Sequence, residues 1–152
     1  MIPFFEQRKA PVPTLFSHIG LTCKDPLVIE RFYTRFFGFK RARVIPLGDD
    51  QIIFIKSGNF YIELFKAKEQ SPLPAPKDDG YPFAGLRHLA FEVESVDAKL
   101  AELGDAVKIM LGPADFSDFI PGWKGAWVAD PEGNIFELNQ GYVDQVNPPP
   151  LA

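Results

Sequence analysis

The chain contains two copies of one sequence pattern, and a repeat of this length restricts the fold to two structural units of the same kind. Residues 17–23 (SHIGLTC) correspond to residues 87–93 (RHLAFEV), and each run has a histidine in its second position. Further along, residues 58–64 (GNFYIEL) correspond to residues 133–138 (GNIFEL). Both pairs are offset by about 70 residues, so two units of that length account for most of the chain.

The first unit is predicted to have the order βαβββ. Residues 18–23 alternate between polar or small side chains and apolar ones, which is typical of a strand. A helix follows, because Asp25 is a good N-cap, Pro26 suits the first helical position and Gly38 ends the apolar stripe. Three more strands are predicted at 41–47, 51–56 and 60–66.

The second unit repeats this order after a proline-rich linker at 68–84. We predict a strand at 86–94, a helix at 96–103 closed by Gly104, and further strands at 107–111, 125–129 and 134–139. Residues 112–124, rich in Phe, Pro and Gly, are predicted to be a loop over a site. The chain is expected to form one domain, with module one at about 15–67, module two at about 85–141 and a tail at 142–152.

Composition excludes several classes of protein. The chain has 152 residues, 46% of them apolar, which is enough to bury a core without a disulfide or a structural metal. A net charge of -4 provides no basic excess for nucleic acid, and no run of about 20 apolar residues is present to cross a membrane. Residues 1–9 lack the pattern of a secretory signal, and Cys23 is a lone thiol. We therefore expect a cytoplasmic protein that binds neither nucleic acid nor membranes.

Two histidines and two glutamates are predicted to lie on strand faces that turn away from the helices. Alternate residues of a strand share a face, so His18 and His88 lie opposite the apolar residues that pack on the helices. Glu63 and Glu137 occupy matching positions in the last strand of each unit. Any one of the four is better explained as a solvated residue, but the repeat of the whole set favours a site. The four side chains converge if the two sheets curve around a shared cleft.

This set of side chains is typical of a metal centre. Imidazole and carboxylate groups suit Zn, Ni, Fe, Mn or Co. Two carboxylates on a divalent metal ion leave a neutral set of ligands with room for water or a substrate oxygen. The residues do not select among these metals.

Packing explains the other candidate residues as well as function does. Cys23 lies on the apolar face and is predicted to be a buried thiol rather than a nucleophile. Glu92 shares the face of His88 and is more simply a solvated carboxylate than a group that orients a ligand. Four aromatic residues either line an apolar pocket or belong to the ordinary core: Phe116, Phe119, Trp123 and Trp127.

Two segments resemble a known family. Residues 32–39 (FYTRFFGF) resemble the first-helix ending, and residues 130–138 (DPEGNIFEL) the last-strand signature, of the vicinal oxygen chelate superfamily. This superfamily includes glyoxalase I, methylmalonyl-CoA epimerase, fosfomycin-resistance proteins, extradiol dioxygenases and bleomycin-binding proteins. The resemblance covers about residues 15 to 140. It implies an α+β fold in which two βαβββ modules form a curved mixed sheet around a metal-binding cleft.

The resemblance also implies a role for each of the four residues. His18, Glu63, His88 and Glu137 match the metal-ligand positions of glyoxalase I-like members. In those members the metal binds substrate oxygens and stabilises an enolate or another oxyanion. The resemblance further implies a homodimer, and the sequence leaves open whether the site lies within one chain or across two.

The sequence departs from particular members of this superfamily. Glyoxalase I sequences usually have an arginine four residues after the first histidine ligand, where this chain has Thr22, and this disfavours glutathione as cosubstrate. Methylmalonyl-CoA epimerases usually have glutamine at the position of Glu63 and a further glutamate on the preceding strand, whereas residues 51–56 contain no carboxylate. Fosfomycin-resistance proteins use three ligands and bleomycin-binding members lack the metal set, so four ligands argue against both.

Three functions remain as hypotheses. The leading one is a metal-dependent lyase or isomerase of glyoxalase type, in which Glu63 or Glu137 moves a proton α to the carbonyl of a small α-oxo or α-hydroxycarbonyl compound. The second is a non-haem iron dioxygenase of extradiol type with His18, His88 and Glu137 as ligands, although Glu63 would fill a position that oxygen needs. The third is a resistance protein that sequesters a drug or another small molecule without turnover.

Overall fold

The structure, a computed structural model, describes residues 12–151 and has the predicted order of elements in both units. Module one contains β1 (His18–Cys23), α1 (Pro26–Phe37), β2 (Lys40–Leu47), β3 (Asp50–Ser57) and β4 (Phe60–Lys66). Module two contains β5 (Leu89–Glu92), α2 (Val96–Leu103), β6 (Lys108–Asp115), β7 (Lys124–Ala129) and β8 (Ile135–Gln140). The α+β class and the pair of βαβββ modules are confirmed.

Each module forms its own four-stranded mixed sheet. The strand orders are β1-β4-β3-β2 and β5-β8-β7-β6, so the two sheets have the same topology and are separate within one chain. The first strand of each module pairs in parallel with the last, and the other pairs are antiparallel. As a result β1 and β5 are outer strands, each with one unpaired edge.

Both sheets turn their apolar faces toward one shared core. Nine buried strand residues contribute to it: Cys23, Ile53, Ile55, Ile62 and Leu64 from sheet one, and Ala126, Val128, Phe136 and Leu138 from sheet two. Helix α1 joins the two sets, because the rings of Phe32 and Phe37 lie 6.0 and 5.3 Å from the ring of Phe136. The other face of each sheet, which we call its open face, therefore points away from this core.

A turn of module two also fixes the start of α1. The Glu132 carboxylate accepts hydrogen bonds from the backbone N–H groups of Lys24 at 2.8 Å and Asp25 at 2.6 Å. Nearby, the Tyr33 hydroxyl lies 3.4 Å from the carboxylate of Asp130, and burial raises the pKa of that carboxyl above its ordinary value. These contacts set the relative position of the two modules.

Two predicted boundaries were wrong. Strand β5 begins at Leu89, so His88 precedes the strand instead of lying within it. Strand β6 continues to Asp115, which reduces the predicted loop at 112–124 to residues 116–123. The pairing of β6 and β7 is irregular between Leu111 and Ala114, a stretch that includes Pro113. Proline has no N–H to donate, and the irregularity lets the strand continue past it.

Residues 1–9, from which the absence of a secretory signal was inferred, lie outside the described residues. Within residues 12–151, none of the helices has the length and apolar character required to span a bilayer.

Candidate metal centre

The open face of module one holds the first histidine and glutamate together. In strand β1 only Cys23 is buried, and the other residues are exposed or half-exposed. The residues that face outward include His18, as the alternation predicts. His18 Nε2 lies 3.0 Å from Glu63 Oε2 on the neighbouring strand β4. The other ring nitrogen, Nδ1, is 3.0 Å from the hydroxyl of Ser17. The pair is partly open to solvent, with side-chain exposures of 39% for His18 and 16% for Glu63.

The open face of module two holds the second pair in a more enclosed setting. His88 Nε2 lies 2.9 Å from Glu137 Oε2, and the two side chains are 18% and 12% exposed. Glu137 Oε1 accepts a hydrogen bond of 2.9 Å from the Asn139 amide. His88 Nδ1 is 2.6 Å from the backbone carbonyl of Asp79, a linker residue.

The contacts of His88 fit a metal ligand. A carbonyl only accepts hydrogen bonds, so Nδ1 carries a hydrogen and Nε2 is the nitrogen that faces the Glu137 carboxylate. Either a proton on Nε2 or a metal ion bound by both side chains accounts for the contact of 2.9 Å. Two nitrogen or oxygen ligands of a tetrahedral zinc ion lie about 3.3 Å from each other, so both pairs are slightly closer together than such ligands. A histidine held through its second nitrogen is also the usual arrangement in metal sites.

The four predicted ligands form two pairs rather than one cluster. Within residues 12–151, no three histidine, cysteine, aspartate or glutamate side chains are close enough to hold one metal ion. The reason lies in the packing of the modules: because the two sheets share a core, their open faces cannot enclose a common cleft in the same chain. Each module therefore holds one histidine–glutamate pair on its own open face.

Aromatic rings lie beside both pairs: Phe54 is 5.8 Å from His18, and a larger group of rings lies beside His88. The ring of Phe116 lies 4.8 Å from that of Trp123 and 6.3 Å from that of Trp127, and Trp127 is in turn 6.3 Å from His88. We call Phe116, Trp123 and Trp127 the aromatic group. Phe119, which the sequence grouped with them, is 79% exposed. In the described part of the chain, the indole N–H groups of both tryptophans are buried without a hydrogen-bond acceptor.

The remaining sequence candidates take no part in either pair. Cys23 is buried, and burial together with nearby carboxylates, Glu132 first, raises its pKa to about 12. The prediction that Cys23 is a buried thiol is confirmed. Glu92 is exposed on β5, as expected of a solvated carboxylate.

Sequence reasoning missed Asp79 and Gly80, which hold His88 in place. Gly80 has a φ of +132°, and a Cβ there would lie 2.2 Å from the carbonyl oxygen of Arg87. Only glycine allows this close approach of the turn to the residues before β5. The side chain of Asp79 also pairs with Arg87 at 2.8 Å. The motif Asp-Asp-Gly predicted a turn, but nothing in it indicated contact with a histidine nine residues later.

Comparison with known proteins agrees with this fold. Residues 15–138 match the family model of the Glyoxalase/Bleomycin resistance protein/Dioxygenase superfamily. A curated relative, the uncharacterized protein YaeR of Escherichia coli, is 33% identical over 93 residues, which cover 57% of this chain and 66% of YaeR. The match thus spans slightly less than two thirds of that relative.

Solved structures show the same architecture. A glyoxalase family protein from Enterococcus faecalis is 27% identical, with a TM-score of 0.63 over 82% of this chain and 96% of that one. The fosfomycin resistance protein FosX of Listeria monocytogenes, solved with Mn(II) and sulfate, is 17% identical, with a TM-score of 0.61 over 87% of this chain and 96% of FosX. At that identity FosX shows the fold alone. The family match over most of the chain shows that it belongs to the Glyoxalase/Bleomycin resistance protein/Dioxygenase superfamily.

Proposed function

We propose that this protein is a metal-dependent lyase or isomerase of glyoxalase type, acting on a small α-oxo or α-hydroxycarbonyl compound. The observation that carries the proposal is the pair of histidine–glutamate contacts at equivalent positions of two modules, His18 with Glu63 and His88 with Glu137. Solvated surface residues have no reason to form the same short contact twice. A divalent ion with two imidazoles and two carboxylates would be neutral and would keep room for substrate oxygens.

We propose further that the complete site forms between two copies of the chain. His18 is the first residue of β1 and His88 directly precedes β5, and these are two of the four outer strands, each of which has one unpaired edge. Exposed apolar side chains lead into both edges: Leu15 and Phe16 before β1, and Phe83 and Leu86 before β5. Exposed apolar surface beside an open sheet edge favours association. Setting β1 of one copy beside β5 of the other joins the two half-sites, and a twofold dimer contains two such centres.

The residues of this chain would divide the reaction between them. When bound, the metal ion would act as a Lewis acid that favours loss of the proton α to the carbonyl. One glutamate carboxylate takes that proton and returns it at a neighbouring carbon. Asn139 holds Glu137 through Oε1, and the Asp79 carbonyl holds His88, so both side chains of module two are fixed. The aromatic group next to His88 supplies an apolar wall that limits water at the reacting carbon.

Hydrogen exchange with solvent tests this proposal most directly. The full chain, purified without a metal-affinity tag, is analysed for bound metal and then incubated in D₂O with a panel of α-oxo and α-hydroxycarbonyl compounds. We expect metal-dependent exchange of the α-hydrogen of at least one compound, measured by NMR, because a carboxylate open to solvent trades its proton with water. Protein stripped with a chelator is the control and should show background exchange only.

The two rival functions give different results in the same experiment. Bound iron together with oxygen consumption on catechols would support the dioxygenase and overturn the lyase. The aromatic group, with its two indole N–H groups lacking acceptors, favours a second candidate function, which is sequestration of an aromatic compound. Tight binding of such a compound with no exchange in the whole panel would support it and would also overturn the lyase.

A further inference from the structure

The open face of module one carries an excess of positive charge in an acidic protein. Lys40 on β2 lies directly opposite Lys56 on β3, and Arg43 lies opposite Phe54 in the next part of the same ladder. Directly opposite residues of an antiparallel pair share a face, so the three cations lie on one face. The chain as a whole has a net charge of -4, so this local excess is not a consequence of composition.

These cations have no acidic partner in the part of the chain that the structure describes. The ion pairs of residues 12–151 include none of the three, and the Lys56 ammonium instead lies 5.0 Å from the ring centroid of Tyr61. Like charges directly opposite each other destabilise a sheet. By contrast Arg41, one residue after Lys40 and on the helix side of the same strand, is paired with Glu30. Charge on the core side is compensated, and charge on the open side is not.

The matching positions of module two are different. There Lys108 lies opposite Ala129, and Leu111, at the position equivalent to Arg43, lies opposite Trp127. Lys108 stands at the position of Lys40, so it is only at the positions of Arg43 and Lys56 that the repeat does not require a cation. The presence of these two cations in module one alone indicates a role beyond the fold.

The position of Arg43 connects this charge to the metal centre. Arg43, Phe54 and Glu63 are neighbours across β2, β3 and β4. Since adjacent strands are about 4.8 Å apart, the backbone of Arg43 is about 10 Å from that of Glu63, and its long side chain reaches part of that distance. A molecule held at His18 and Glu63 would thus extend over Phe54 toward the guanidinium of Arg43.

We propose that the substrate carries a second anionic group, a carboxylate or a phosphate, several bonds from the carbonyl, and that Arg43 binds it with Lys40 and Lys56 beside it. The inference rests on the proposed function, because it places the carbonyl end of the substrate at the histidine–glutamate pairs. Arg43 is the main determinant, since a guanidinium binds both oxygens of a carboxylate or phosphate at once. Lys40 and Lys56 raise the local positive potential.

Pairs of compounds that differ only in the second group test this inference. Calorimetry measures the dissociation constants of 2-oxobutyrate and 2-oxoglutarate, and of hydroxypyruvate and its 3-phosphate, with the full chain loaded with Zn(II). We expect at least one anionic member to bind about tenfold or more tightly than its neutral-tailed partner, with a smaller ratio at high salt. The two series show whether carboxylate or phosphate is preferred.

Variants assign the effect to Arg43. In R43Q the ratio should fall to about 1–2, while binding of the neutral-tailed compound stays unchanged; R43K should keep part of the ratio. R31Q removes the same charge from an exposed position on α1 and should leave the ratio unchanged. A ratio near one in the unaltered chain, or the same loss in R31Q, would overturn this inference while the proposed function stands. If no compound in either series binds the metal-loaded chain, both fail.

Discussion

The two modules hold the same histidine–glutamate pair in different surroundings. Across the open face of module one, the row containing its glutamate consists of Arg43, Phe54, Glu63 and Gly20. The equivalent row in module two consists of Leu111, Trp127, Glu137 and Ala90. The glutamate and the small residue next to it are of the same kind in both rows. The other two positions differ, because Leu111 replaces the cation Arg43 and Trp127 replaces Phe54. Under the proposed function, metal binding would be shared by the two modules, whereas recognition of the rest of the substrate would be divided between them.

The glutamates themselves also differ. Glu137 is held at both oxygens, by His88 and by Asn139. In the described part of the chain, the only hydrogen-bond or ion-pair partner of the Glu63 carboxylate is His18. A carboxylate that carries a proton must leave the metal and return, and Glu63 has fewer such partners to lose. Glu63 is therefore our candidate for the base, and Glu137 for the fixed ligand.

The largest effect is expected from substitutions that test this difference between the two glutamates. E63Q keeps the size of the side chain and removes its basicity, so the rate of α-hydrogen exchange per bound metal should fall about 10²–10⁴-fold. E137Q should lose less exchange per bound metal, although its metal affinity should fall. NMR in D₂O measures the exchange, and elemental analysis gives the metal content. A larger loss in E137Q at equal metal content would reverse the two roles.

The next prediction tests whether both modules are needed for one metal ion. H18A and H88A should each lose the bound metal, since half of the ligand pair in one module is removed. Both should remain folded by circular dichroism, because the imidazoles lie outside the shared core. T22A, on the open face of the same strand as His18, is the control and should keep its metal. Full occupancy in either histidine variant would contradict the four-ligand site.

Mixing these two variants tests the proposed dimer. After unfolding and refolding together in equal amounts, H18A and H88A should regain about a quarter of the metal of the unaltered chain, because half of the dimers are mixed and each mixed dimer has one intact site. Sedimentation should show a dimer throughout. A monomer, or no recovery of metal in a confirmed mixed dimer, would show that the site is not shared between chains.

Much of this arrangement could be predicted from the sequence, because it depends on local patterns. The alternation of side chains assigned His18 and Glu63 to the open face, and the cap residues Asp25 and Gly38 mark the two ends of α1 as expected. The separation of the two pairs could not be predicted in this way. It depends on how α1 packs its phenylalanines against β8, and such contacts between distant segments leave no periodic signal.

The contact of His88 with the linker was also beyond local reasoning, and it leads to a prediction about Gly80. G80A should push the Asp79–Gly80 turn away from Arg87 and remove the carbonyl that orients His88. Loss of such a supporting hydrogen bond should weaken metal affinity about 10–100-fold with the ligands themselves intact. G48A is the matched control, since Gly48 also has a positive φ but has no atom near its Cβ position. Equal losses in the two variants would mean that general destabilisation explains the effect.

The smallest expected effect is on the pH dependence of stability, and it comes from Cys23, which lies where the two modules are in contact. Cys23 of module one has its pKa raised from 9.0 to about 12, first by burial and then by the carboxylates of Glu132 and Asp130 in module two. The unfolded chain loses this thiol proton near pH 9, whereas the folded chain keeps it until about pH 12. The contribution of the thiol to stability is thus complete below pH 9 and is lost between pH 9 and 12, by up to about 1.4 kcal/mol per pH unit.

Tyr33, whose pKa is also raised by burial, acts in the same direction and is present in both chains to be compared. Urea unfolding of the unaltered chain and of C23A at pH 8 and pH 10.5 should therefore show a steeper loss of stability in the unaltered chain. Parallel losses in the two chains would show that the thiol is not held between the modules as the structure has it.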